Sequence, residues 1–383
     1  MIDIPERIVN LPRSGIRKLM EIALRDPEVI RLEMGEPHFS TPHYILEKLK
    51  DFYWQGEIKY TPTVGIPSLR EKIAHHLKEE KGWKVTPEEV VILPGSLFGT
   101  VTIFSSLLEP QDEVLVPDPG FTNHFYQVEL CGGKMERYHL QEKNGFLPDI
   151  KEIENLITSR TKMILINSPS NPLGVVFPKE TLCQLAQLAE EYGLLLISDE
   201  AYEKYVYEGE HQGMFSFINE DNLISIFSFS KTYALTGWRV GYMIVPPYLV
   251  KHLAKVEEYL IACTSHLSQK AAEIALDLPK EEVKKMVDYY QGNRDKAIEL
   301  LEQGGFHFFK PQGGYYLWID IQEFGLSSLD FCKTLVKESK VALSPGDAFG
   351  EGGEGFVRLS ICRKREEVEE GVKRLVEFRK GRK

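Results

Sequence analysis

The stretch Ile224-Ser225-Ile226-Phe227-Ser228-Phe229-Ser230-Lys231-Thr232-Tyr233-Ala234-Leu235-Thr236-Gly237-Trp238-Arg239-Val240-Gly241-Tyr242 sets a short apolar run directly against a polar, lysine-bearing segment. Ile224 to Phe227 has the length and composition of a buried strand, and it stops at Ser228. The same unit recurs outward along the chain. Val90-Val91-Ile92-Leu93 is followed by a helix from about Gly99 to Leu108. Val114 to Val116 stops at Pro117 and Lys162 to Ile166 at Asn167; after a helix over Thr181 to Tyr192, Leu194 to Ile197 stops at Asp199. Apolar strands alternating with helices predict an α/β fold, a doubly wound, mainly parallel sheet covered on both faces. Asp118, Asn167, Asp199 and Ser228 then fall just past the carboxyl ends of strands, the edge where such sheets bind ligands.

The flanks have a different texture. Ile16, Leu19, Met20 and Ala23 give helical spacing within Gly15 to Pro27, and Leu69, Ile73, Ala74 and Leu77 do so within Pro67 to Lys81. A long charged helix, Lys280 to Gln303, leads to three antiparallel strands, Phe306 to Phe309, Tyr315 to Ile319 and Phe356 to Ile361, with helices near 328–339 and 366–379. This predicts a smaller α+β domain built from residues 1–45 and 286–383, beside a large domain over 46–285. The glycine-rich run Phe349 to Gly355 lacks the strand-before, helix-after setting of a phosphate loop and is read as a flexible surface turn.

With 383 residues, two domains are the natural expectation. A net charge of −11 argues against a nucleic-acid partner, which needs a basic face. The basic tail Arg379-Lys380-Gly381-Arg382-Lys383 is read as a frayed terminus. Neither a signal peptide nor a membrane-length apolar run is visible. The five scattered cysteines form no C-x-x-C pair, which fits a reducing cytoplasm and neither disulfides nor a metal site.

A lysine just past a buried strand is suited to imine chemistry, because desolvation and nearby cations lower its pKa and free the amine. Arg239 follows Gly237 and carries a planar fork that suits phosphate. Each also has a plain alternative, a surface lysine and a structural arginine. Asp199 is a carboxylate that burial makes costly without a cation, or else a capped strand end. Asn167 to Gly174 is rich in turn formers. Pro94-Gly95-Ser96-Leu97 lies between strand and helix, where backbone N–H groups and a hydroxyl make either an anion site or a simple cap.

The string S-x-S-K-(x)5-G-x-R-x-G-Y resembles the lysine signature of the aspartate-aminotransferase family, class I/II and fold type I, and the resemblance extends over nearly the whole chain. It implies that Lys231 holds pyridoxal 5′-phosphate (PLP) as an imine and shuttles the substrate's α-proton. It assigns the phosphate to Arg239, Ser228, Ser96 and the Leu97 N–H, with Ser230 close by. Asp199 would pair with the pyridine nitrogen, Phe121 would stack on the ring, and Tyr202 with Asn171 would meet its 3′-oxygen. Arg358, in Phe356-Val357-Arg358-Leu359-Ser360, matches the arginine that grips the α-carboxylate, with backbone help from Gly35. Tyr60 matches the tyrosine that reaches the other subunit's phosphate, so a homodimer is implied. The loop Asn167-Ser168-Pro169-Ser170-Asn171-Pro172-Leu173-Gly174 departs from the family's N-P-x-N-P-x-G at Ser168-Pro169.

The implied reaction moves an amino group from an L-amino acid to a 2-oxo acid such as 2-oxoglutarate or pyruvate. Ile16, Leu97, Phe121 and Tyr315 are expected around the side chain, which favours neutral or aromatic donors. Leu97 stands where some aspartate-selective relatives carry a lysine. Arg17 and His124 are the candidates for a second anion contact. A PLP-dependent C–S β-lyase, or another fold type I PLP enzyme, is the rival chemistry on the same scaffold. The effector domain of a transcription regulator is the rival of another class, and a match starting by about Ser14 leaves no room for its DNA-binding part.

Overall fold

The computed structural model describes residues 3–9, 11–12 and 15–382; Met1, Ile2, Asn10, Arg13, Ser14 and Lys383 lie outside the described residues. After the two-residue β1 (Ile30–Arg31), seven strands form the large sheet: β2 (Val90–Leu93), β3 (Glu113–Asp118), β4 (Lys134–His139), β5 (Thr161–Asn167), β6 (Leu195–Asp199), β7 (Leu223–Ser228) and β8 (Gly241–Ile244). Their order is β2-β8-β7-β6-β5-β3-β4. All neighbours are parallel except β8, which runs antiparallel to both β2 and β7. The link from β7 to β8 holds one helical turn, Phe229–Thr232, so it lacks the crossover helix that a parallel return usually carries.

Period-two geometry explains why the strands read as unbroken apolar runs. Leu196 packs on one face with Ile164, Ile166 and Leu185, while its neighbour Ile197 packs on the other with Met163, Leu165 and Phe104. Both faces are buried, so both sets of alternate residues are apolar. Each fully buried Leu or Ile contributes roughly 1.5–3 kcal/mol relative to exposure.

The second sheet has the order β12-β13-β10-β9 and is antiparallel: β9 (Phe308–Phe309), β10 (Tyr316–Asp320), β12 (Ser344–Pro345) and β13 (Phe356–Ser360). β1 pairs in parallel with β11 (Val341–Ala342), which ties the amino-terminal segment to this sheet's surroundings. Leu32, Leu335, Leu359 and Leu375 share one core there. Among the described residues, no helix is long and apolar enough to cross a membrane.

Two expectations are corrected. The run Phe349 to Gly355 is no loose surface turn, because Asp118 pins it. The Asp118 carboxylate accepts the N–H groups of Glu351 at 3.1 Å and Gly352 at 3.0 Å. Gly350 sits at φ +118, and a Cβ there would come within 2.2 Å of Asp118 Oδ1. The described part of the tail is held as well. Helix Arg365–Lys380 takes in its first two residues, with Arg379 Nε on Glu323 at 2.6 Å and Arg382 Nη2 on Glu338 at 2.7 Å.

Asp118→Ala leaves two N–H groups of that loop without their acceptor. It should destabilise the protein by about 1–3 kcal/mol and open residues 349–355 to proteolysis. Urea unfolding and limited proteolysis test this, and parental values in both would show that the loop holds itself.

Candidate active site

Three strand ends of the large sheet open into a cavity of about 550 Å³. Beyond β7, Ser228 caps the Phe229–Thr232 turn, its Oγ accepting the Ser230 N–H at 3.2 Å. That turn carries Lys231, whose Nζ donates to the Gly35 carbonyl at 2.7 Å. Burial pushes the Lys231 pKa down, and the Arg358 and Arg239 guanidiniums push the same way, against Cys362 and Glu36.

At the end of β6, the buried Asp199 carboxylate accepts the Ala201 N–H at 3.0 Å and faces His124 Nε2 at 3.3 Å. The ring of Phe121 meets His124 edge-on, 5.3 Å between centroids. Asn167, ending β5, donates to the Asp199 carbonyl at 3.0 Å and accepts the Asn171 N–H at 2.7 Å. Asn171 Oδ1 in turn accepts from Arg358 Nη1 at 2.8 Å. Arg358 Nη2 reaches the Glu33 carbonyl at 2.7 Å and Ser344 Oγ at 3.2 Å, and its guanidinium lies 4.0 Å from the Tyr316 ring centroid and 4.6 Å from that of Phe349. The Tyr202 and Tyr316 hydroxyls are 2.8 Å apart, and burial raises both pKa values.

A cluster of donors lies at another wall. Gly95, at φ +92, begins the turn into helix Ser96–Leu107. A Cβ on Gly95 would come within 2.4 Å of Arg239 Nη2, so only glycine lets that guanidinium approach. Arg239 itself has φ +52, a left-handed conformation uncommon for a non-glycine residue, and among the described residues its guanidinium bonds only to the Thr236 carbonyl, at 2.8 Å. The hydroxyls of Ser96, Ser228 and Ser230 line the same cavity. A fixed cation, hydroxyls and a helix amino terminus suit a phosphate. With an amine for a carbonyl and a buried carboxylate for a cationic ring nitrogen, the residues fit PLP.

Of the residues singled out in the sequence, Gly35, Ser96, Leu97, Phe121, Asn171, Asp199, Tyr202, Ser228, Ser230, Lys231, Arg239 and Arg358 all line this cavity. Tyr60 does not; it is 90% exposed. Ile16 and Arg17 line it as expected. Tyr315 does not line it: its hydroxyl bonds the Lys231 carbonyl at 3.3 Å from within the core, and Tyr316 takes the wall. His124 is no free anion contact, being buried against Asp199. Tyr316 was missed because side chains alternate along β10, so a shift of one residue exchanges wall for core.

The sequence pattern of the family "Aminotransferase class I and II" matches residues 27–375. The chain belongs to this family. It is an aminotransferase with the fold type I architecture, and the family to which it belongs uses PLP. It is 37% identical to an aspartate aminotransferase of Pyrococcus horikoshii over 99% of this chain and 98% of that one. It is 34% identical to aromatic-amino-acid aminotransferase 2 of Thermococcus litoralis, again over 99% and 98% of the two chains. The crystal structure of the aspartate aminotransferase from Thermotoga maritima superposes with a TM-score of 0.93 at 34% identity, covering 98% of this chain and 99% of that one. These relatives favour amino-group transfer over the C–S lyase alternative.

A lowered lysine pKa means that, below its ordinary value of 10.5, more of the Lys231 amine is neutral than for an exposed lysine. In cofactor-free aminotransferase, labelling of Lys231 by an amine reagent, followed by peptide mapping across pH, should reach half its plateau below 10.5. A midpoint at or above the ordinary value would show that the cavity does not depress it.

Proposed function

We propose that Lys231 is the covalent anchor of PLP and that the enzyme moves amino groups from neutral or aromatic L-amino acids to 2-oxo acids such as 2-oxoglutarate. The observation that carries this is the sharing of one cavity by Lys231, Asp199, Arg239 and Arg358. When bound, the cofactor supplies an electron sink for the pair left behind when the substrate's α-carbon loses its proton. In this reading the Lys231 amine takes that proton and returns it on the other side of the exchange. Asp199, oriented by His124 and the Ala201 N–H, keeps the ring nitrogen protonated. Arg239, Ser228, Ser230, Ser96 and the Leu97 N–H hold the phosphate. Phe121 covers the ring face, and Tyr202 and Asn171 donate to the 3′-oxygen. Arg358, with the Gly35 backbone, fixes the α-carboxylate so that the α-hydrogen faces Lys231.

Residues 46–285 form the cofactor domain in this proposal, with 1–45 and 286–383 bringing Arg358 to it; the two seams fall inside the helices His43–Gln55 and Lys280–Gly304. Tyr60 is assigned to the phosphate of a second copy, which its 90% exposure in the single chain fits. The five free cysteines suit a cytoplasmic setting.

Purified enzyme should be yellow. Lys231→Ala should lose the lysine-linked chromophore and catalysis, and Asp199→Asn should bind the cofactor yet lose turnover by several orders of magnitude. Mixing Lys231→Ala with Tyr60→Phe chains should restore activity above either parent, since one site of each hybrid dimer is then intact. An inactive, colourless wild type in the presence of PLP sinks the assignment, and hybrids no better than their parents remove Tyr60 from the neighbour's site.

The donor follows from what meets the side chain. Leu97, Ile16 and Phe121 are apolar or aromatic, and Arg17 is the cavity cation left over once Lys231, Arg239 and Arg358 are assigned. Alanine, methionine, phenylalanine or tyrosine should therefore outrun aspartate in kcat/KM, with glutamate accepted through Arg17. Arg17→Leu should slow the glutamate half-reaction about tenfold while sparing the phenylalanine one, a difference of about 1.4 kcal/mol in transition-state binding. Single-donor half-reactions decide it: aspartate fastest by tenfold or more would reveal another cation at work.

A further inference from the structure

Tyr316 touches three residues that the proposed function uses, yet has no role in it. Its hydroxyl lies 2.8 Å from that of Tyr202. The face of its ring carries the Arg358 guanidinium at 4.0 Å. It also packs so closely on Gly35 that a Cβ there would come within 1.8 Å of the Tyr316 oxygen. Both tyrosines are buried, at 5% and 2% exposure, so solvent does not compete for this contact. Tyr202 is the sole hydrogen-bonding partner of the Tyr316 hydroxyl among the described residues.

We propose that Tyr316 is a positioning residue that fixes the direction of the Tyr202 proton and, through the opposite use of its ring, the plane of Arg358. The inference rests on the reading of Lys231 as the PLP anchor. Its core is a count of protons. Each hydroxyl has one proton, and in the free pair either oxygen can be the donor. Once Tyr202 gives its proton to the cofactor's 3′-oxygen, it can meet Tyr316 only as an acceptor. Tyr316 must then donate. A hydroxyl that accepts a hydrogen bond is a stronger donor, so Tyr316 strengthens the Tyr202 contact without touching the cofactor. The stronger that contact, the more negative charge Tyr202 holds on the 3′-oxygen, and the less remains to stabilise a proton on the nearby lysine nitrogen. Tyr316 thereby lowers the pH at which the lysine-bound chromophore loses its proton.

The ring does separate work. The Arg358 guanidinium lies over both the Tyr316 and the Phe349 rings, contacts that restrain its plane, with Asn171, Glu33 and Ser344 accepting from its edge and fixing its rotation in that plane. A phenylalanine keeps this stack and loses only the hydroxyl.

The two contributions can be separated in the holoenzyme. For Tyr316→Phe, spectrophotometric titration of the chromophore should give a midpoint raised by about 0.3–0.5 pH unit, a two- to threefold change in proton affinity. KM for the amino donor should stay within about twofold of the parent. Tyr316→Leu, which also removes the ring, should show the same rise in midpoint and raise KM by about fivefold or more. A Tyr316→Phe midpoint within about 0.1 unit of the parent overturns the proton-direction claim. Equal KM values in the Phe and Leu variants overturn the ring claim. Absence of any lysine-linked chromophore in the wild type would instead bring down the PLP reading itself, a distinguishable result.

Discussion

A carboxylate buried at the end of a parallel strand cannot be left to itself, and the way Asp199 is held determines much of the site. Its carboxylate is met by the Ala201 N–H and by His124, while its carbonyl accepts from Asn167. The bond to Asn167 is the first of a series. Asn167 Oδ1 holds the Asn171 N–H, and Asn171 Oδ1 holds Arg358 Nη1, at 2.7 and 2.8 Å. Three consecutive hydrogen bonds thus run from the rim of the seven-stranded sheet to a strand of the four-stranded one. All four residues are buried, so the low local dielectric strengthens every link and makes a broken one expensive. The positions of Asp199 and Arg358 are therefore not independent.

The same packing logic governs what could be read in advance. Val90–Leu93 and Pro67–Lys81 have the expected bounds, and β5, β6 and β7 end at Asn167, Asp199 and Ser228, because apolar runs buried on both faces end where a polar residue reaches the rim. Lys231, Asp199 and Arg239 were singled out by their setting beside those ends together with the resemblance of the whole string to the family, and the structure brings all three to one cavity. Features made by tertiary contact were not. β8 (Gly241–Ile244) lies inside the polar, glycine-bearing segment that follows Lys231, so it does not stand out as a strand, and its direction follows from the length of a link. His124 shows no more than a lone histidine in sequence, yet its partner lies 75 positions on, at Asp199. Asp118 carries the same rim signature as Asp199 but turns to the glycine-rich loop, since two N–H donors there satisfy it.

Arg358 shows how a permanent charge is kept usable in the interior. Its guanidinium lies over two aromatic rings, those of Tyr316 and Phe349, with acceptors along its edge, while Nε is buried without a hydrogen-bond partner among the described residues. Its acceptors are a carbonyl, a hydroxyl and an amide oxygen, none of them anionic. A carboxylate in permanent contact would neutralise the guanidinium and leave less attraction for a substrate's. Neutral acceptors orient the cation without spending its charge, which is the condition a carboxylate-binding arginine has to meet.

The groups assigned to the chemistry and those that would meet the substrate side chain stand on different foundations. Lys231, Asp199 and Asn171 sit at or just beyond the ends of central strands, where a displacement would disturb both cores. Ile16 and Arg17 belong to the amino-terminal helix Gly15–Ala23, and Leu97 lies in the first turn of the helix after β2. All three are partly or fully exposed to solvent, so substitution there costs little packing. Donor choice can then drift while the reaction is retained. The relatives fit that expectation: proteins named for aspartate and for aromatic amino acids stand at 37% and 34% identity to this chain, nearly the same distance. Overall identity therefore carries little information about the donor. In the proposed reading the few side chains that would meet the substrate's own, Arg17 and Leu97 among them, carry most of it.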